Sequence, residues 1–166
     1  MQSHEIRNLF DYNYWATGRI LAAAERLTGE QYAAAVPGLS YDSVRATLVH
    51  MLAAESIWRR RCLAGESPTA LLREADYPTL AALRRLWVEE EAAMRDGLAR
   101  LSDERLAGPL EYHTTNGTPM REAHLWRLLV HVVNHGTQHR AEVAVALTAW
   151  GWSPGDVDYV VYLRCL

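Results

Sequence analysis

The chain has 166 residues, a length that fits one ordinary domain and buries a core without disulfide or metal staples. Its 17 cationic and 20 acidic side chains leave a formal net charge of -3. That balance gives no global basic field of the kind on which non-specific nucleic-acid binding relies, and no stretch approaches the ~20 apolar residues of a membrane span. Nucleic acid and membrane are therefore not expected as partners.

Every cation is an arginine, a bias attributed to genome composition. The two cysteines, Cys62 and Cys165, form no C-x-x-C pair, so neither a thioredoxin-type redox site nor a cysteine-rich zinc module is readable. The N-terminus opens directly into charged, amphipathic sequence. A soluble protein of the reducing cytoplasm is the expectation.

In chain order, Ser3 to Leu27 carries apolar residues at helical spacing and meets a stop at Thr28-Gly29. Pro37-Gly38 and the cap candidates Ser40, Asp42 and Ser43 announce a second helix from Ser43 to Ala64, ended by Gly65 and Pro68. A third, rich in alanine, leucine, glutamate and arginine, runs from Pro78 to Leu101. Leu110 to Thr115 then favours extended structure, and Asn116-Gly117 is a strong hairpin signal. The fourth long helix covers Arg121 to Trp150 and stops at Gly151. The tail from Asp156 reads as a short strand or a helical turn. The expected fold is all-α: a four-helix bundle over residues 1–166, with a small β-hairpin before the last long helix.

The fourth helix contains His131, His135 and His139, each one turn from the next, so their imidazoles stack on one face with His124 and Glu142. A core gains little from stacked polar rings, whereas neutral imidazole is a common metal ligand. Adjacent rings at i,i+4 converge on one ion; a third, eight residues along, does not. This helix therefore supplies two ligands; spacing alone allows His131 with His135 or His135 with His139, and reading His131 as a hydrogen-bonded group favours the second pair. The second helix supplies a third in His50, whose face it shares with Ala46, Ala53, Ala54 and Ile57.

Three imidazoles leave a coordination position open, as in catalytic sites, with nitrogen-to-metal distances of about 2.0–2.1 Å for zinc. His131 and His124 read as hydrogen-bonded groups outside the ligand set, and His4 and His113 as surface or loop residues. Glu142 is placed to fix a ligand's tautomer or to act as a base, although a plain surface glutamate fits the same position. Arg59-Arg60-Arg61 sits where a helix C-terminus favours positive charge.

The motifs Tyr12-Asn-Tyr-Trp15-Ala16 with Arg19-Ile-Leu, Ala46-Thr-Leu-Val-His50 with Ala54-Glu55, and His131-Val-Val-Asn-His135-Gly-Thr-Gln-His139-Arg140 span nearly the whole chain. Together with Asp158-Tyr and Tyr162-Leu, they resemble the DinB/YfiT-like family of metal-binding four-helix bundles. The resemblance implies a metal triad at His50, His135 and His139. It also implies a divalent ion, zinc or nickel first, and a metal-dependent enzyme that transfers a low-molecular-weight thiol of the bacillithiol, mycothiol or glutathione class to an electrophilic small molecule. Tyr12 and Trp15 would wall the cofactor pocket. Arg140 is the candidate for a cofactor carboxylate, but its helical phase points it well off the histidine face, and a structural salt bridge is the favoured reading.

Thr17 and Ala141-Glu142 depart from the Trp-Ala-Asn and His-Arg-Gly-Gln patterns of relatives, which leaves the triad intact but alters its surroundings. The competing expectation is a non-catalytic metal-binding or stress-response protein. A homodimer is left open.

Overall fold

The computed structural model describes residues 1–166. Four long helices form it: α1 (Ser3–Ala24), α3 (Val44–Arg59), α4 (Leu80–Ala99) and α6 (Leu125–Ala149), with short helices α2 (Gly29–Ala33), α5 (Asp103–Ala107) and α7 (Tyr159–Leu163) between and after them. The hairpin pairs β1 (Leu110–His113) antiparallel with β2 (Pro119–Glu122), Leu110 facing Glu122 and His113 facing Pro119. No helix is long and apolar enough to cross a membrane.

Starts are set by side chains that satisfy the free N–H groups of a first turn. Ser43 Oγ accepts from the Ala46 amide at 3.0 Å, and Thr79 Oγ1 from Ala82 at 3.2 Å, so the third long helix begins at Leu80 rather than Pro78. Thr28, read as a stop, is also a start. Its hydroxyl accepts from the Gln31 amide while the Gln31 side chain accepts from the Thr28 amide, a capping box that opens α2 and ends α1 at Ala24. Asp158 caps α7 in the same way, through the Val160 amide at 2.8 Å, which makes the tail a helical turn.

Two boundaries differ for a different reason. Arg121 belongs to β2, across from Glu111, so the hairpin claims the residues expected to open the last helix, and α6 begins only at Leu125. The second long helix is α-helical to Arg59. Its last turn, Arg60–Ala64, is a π-helix, closed by Gly65 at φ 68°.

α1 and α3 each pack against both α4 and α6, so α1 lies diagonally across from α3. The apolar interior falls into two clusters. One surrounds Ile20, Leu48, Leu52, Leu83 and Leu147; the other surrounds Ile6, Phe10, Met94, Leu106, Leu125 and Leu129. Asn13, Thr17, Glu55, His139 and Arg140 are all buried yet belong to neither, so a polar layer divides the core.

Candidate metal centre

His50 projects from α3, and His135 and His139 from α6. One ring nitrogen of each lies within 4.8 Å of the other two. His50 Nε2 and His135 Nε2 are 2.9 Å apart, within hydrogen-bond distance. The ring centroids of His135 and His139 are 4.6 Å apart, and those of His50 and His139 5.0 Å. The i,i+4 spacing accounts for the first separation; the packing of α3 on α6 accounts for the second.

The donor set fits a divalent cation. Burial, with His139 nearby, holds the pKa of His50 down at about 4, and burial with the other histidines does the same for His135. At neutral pH both rings are therefore uncharged, the form that ligates a metal.

Glu142 sets the third ring. Its Oε2 accepts from His139 Nδ1 at 3.2 Å, which leaves Nε2 with its lone pair free. The same carboxylate accepts from the Ser40 amide at 3.2 Å and from the Ser40 hydroxyl at 2.8 Å. Partial burial works against its charge, but the bonds from Ser40 and His139 prevail, and its pKa lies below the usual carboxylate value. Through Ser40, Glu142 also places Tyr41, whose ring stacks on His50 at 3.8 Å and stands edge-on to His139 at 5.6 Å. Asp42 follows at φ 59°, an uncommon backbone for a side-chain-bearing residue. Sequence reasoning missed Tyr41 and treated Ser40 only as a cap. The one signal was the turn-forming run before α3.

The remaining histidines lie outside this group. His131 is 5.9 Å from the His135 ring and stands edge-on to Trp58 at 5.3 Å. His124 Nδ1 donates to the Ala107 carbonyl at 2.8 Å. His4 and His113 are exposed.

Tyr12, Trp15 and Arg140 sit elsewhere. Tyr12 donates from its hydroxyl to the Val157 carbonyl at 3.1 Å and packs on Tyr159 and Tyr162; Trp15 packs on Tyr162. Arg140 follows His139 by one residue, about 100° around the helix, and therefore faces α1 instead of α3. The residue is 1 % exposed, and its guanidinium donates to Asn13 Oδ1, to Thr17 Oγ1 at 3.3 Å and to Thr137 Oγ1 at 2.9 Å. Beside it, Glu55 accepts from the Tyr14 hydroxyl at 2.6 Å and from Asn13 Nδ2 at 3.3 Å.

The sequence model of the DinB family matches residues 1–165. Protein DinB of Bacillus subtilis (strain 168) is 27% identical over 164 residues, an alignment that covers 93% of this chain and 91% of that protein.

Proposed function

The chain belongs to the DinB family, and on that premise we propose that it is a divalent-metal-dependent enzyme that transfers a low-molecular-weight thiol to an electrophilic small molecule. The observation that carries the reading is the convergence of three imidazole nitrogens from two helices, with a carboxylate fixing one of them. A divalent ion held by that set would keep a thiol deprotonated at neutral pH and thus nucleophilic. His50 and His135 contribute as neutral donors, Glu142 holds the proton at His139 Nδ1, and Tyr41 shields one side from solvent.

The chain's own thiols are poor candidates for that nucleophile. Burial pushes the Cys62 thiol up to about 12, and Cys165 lies on the exposed tail, donating to the Val161 carbonyl. A thiol supplied from solution fits the site better. Zinc or nickel suits the imidazole donors.

The test has two stages. Elemental analysis of untagged protein should find one metal per chain, and His50→Ala, His135→Ala and His139→Ala should each lower affinity by two orders of magnitude or more. Turnover of a chromogenic electrophile should then appear with bacillithiol, mycothiol or glutathione in metal-loaded protein and vanish in His50→Ala. Metal binding without any metal-dependent rate would favour the second reading, a non-catalytic metal-binding protein. The ring of Tyr41 lying across His50 is the feature that favours it.

A further inference from the structure

Three consecutive arginines close α3, and two of them have carboxylate partners. Arg59 holds Glu90 with both Nε and a terminal nitrogen, at 2.7 and 3.0 Å, and Arg60 holds Glu66 at 2.6 Å. Arg61 has none. Its side chain makes no hydrogen bond and no ion pair, although the residue is only 6 % exposed, and its buried Nε is without a partner. The contrast with Arg140, equally buried and bonded to three side chains, is sharp.

A guanidinium stays charged in proteins, and withdrawing one from water without an anion is costly. Aromatic faces supply part of the compensation: the guanidinium carbon lies 4.9 Å from the Trp58 ring centroid and 5.2 Å from that of Tyr112. Neither ring offers a hydrogen-bond acceptor to match the guanidinium fork. Only Nε is both sealed from solvent and unpartnered, so the terminal nitrogens keep contact with solvent.

The placement ties Arg61 to the histidines. It lies in the π turn, which puts it off the register an unbroken α-helix would give. The Trp58 ring stands edge-on to His131 at 5.3 Å, and His131 is 5.9 Å from His135. A continuous row of rings thus runs from Arg61 to the three-nitrogen group. Along α3 the separation from His50 to Arg61 is 11 residues, roughly 16 Å at helical rise, less the reach of both side chains.

We propose that Arg61 is an anion subsite that binds the carboxylate of the ligand whose thiol the histidine site takes. The proposal rests on the metal-dependent thiol reading and narrows it to carboxylate-bearing thiols. Glutathione and bacillithiol carry carboxylates; mycothiol carries none. The planar fork of an arginine suits a carboxylate held by two parallel hydrogen bonds.

The test uses cobalt-loaded protein, the parent and Arg61→Met, which keeps the aliphatic length and loses the charge. Binding of glutathione, bacillithiol and glutathione diethyl ester is followed by the thiolate-to-cobalt absorption band. S-methylglutathione, which has no free thiol, is followed by tryptophan fluorescence, with Trp58 as the adjacent reporter.

The parent should bind glutathione or bacillithiol at least tenfold more tightly than the diester. Arg61→Met should lose that preference while its affinity for the diester stays the same. Equal preference in parent and variant, or S-methylglutathione binding both proteins alike or neither, overturns the subsite. If no thiol gives the cobalt band while S-methylglutathione still binds in an Arg61-dependent way, the anion subsite stands and the thiol-transfer reading fails. Equal melting temperatures of parent and variant verify that the fold is kept.

Discussion

Two polar clusters share the middle of this bundle, and they are built on opposite rules. Around Arg140, donors and acceptors from α1, α3 and α6 close on one another: Asn13 and Thr17 take the guanidinium, and Tyr14 and Asn13 take Glu55. An enclosed cavity of about 10 Å³ beside them has room for roughly one water. Around His50, His135 and His139, on another face of α6, the nitrogens face each other and leave lone pairs over. A satisfied buried network rigidifies and specifies a core, whereas unspent lone pairs at one point are useful to a ligand. Adjacent residues of one helix, His139 and Arg140, thus serve different ends because 100° of rotation sends one toward α3 and the other toward α1.

The comparison breaks most visibly at Arg140. Arg140→Met should remove the centre of the closed network, strand the buried Asn13 and Glu55 groups, and cost about 3–5 kcal/mol of stability in urea unfolding, while the metal affinity of the folded protein changes little. A stability near that of the parent would mean that the network is ornamental.

Next is Glu142→Gln, which keeps an acceptor for Ser40 but loses the charge behind His139. Metal affinity should fall by about 10–100-fold in competition with a chromophoric chelator. No change would assign Glu142 to the loop alone.

Gly136→Ala should destabilise by about 1–2 kcal/mol despite alanine's better helix propensity. A Cβ there would stand 2.7 Å from an Arg140 terminal nitrogen and 2.9 Å from Asn13 Oδ1, and both are pinned by their bonds to each other. A more stable variant, read by thermal melting, would show that Arg140 yields.

The last expected effect is on the pH dependence of stability. Burial pushes Glu55 up to about 7 from an ordinary value of 4.5, against the opposing bonds from Tyr14 and Asn13 and the charge of Arg140. Between those two values the folded chain keeps a proton that the unfolded chain has released. This contribution to stability is therefore complete below about 4.5 and is lost as the pH rises toward 7. Glu55→Gln should flatten that slope, as measured by unfolding midpoints across the interval.

The grouping of the histidines was legible in part through a local rule: residues four apart on a helix share a face, which put His131, His135 and His139 together before any fold was known, while the family resemblance chose His135 and His139 as the pair. The third histidine was found because few residues on the second helix could face them with ligand chemistry. Tyr41 and Ser40 were not legible, since what brings them to the site is a bond to Glu142 across 102 positions of chain, and no spacing rule reaches that far. Arg140 illustrates a different gap. Its helical phase excluded the histidine face correctly, but only the packing of α1 on α6 shows that Asn13 waits on the other side. The start of α6 was misplaced because Arg121 and Glu122 satisfy both a helix pattern and a strand pair, and the hairpin register decides between them.

The bond from the Ser40 amide to Glu142 makes one backbone proton a reporter for a site to which it does not belong. That proton exchanges with solvent only when the loop lifts from α6, and the carboxylate it bonds is the one that holds His139. Whatever tightens His139 against Glu142 slows the exchange at residue 40, and whatever draws the carboxylate away quickens it. A deuterium clock at that single amide would read the state of the histidine centre without a chromophore, a label or a substrate.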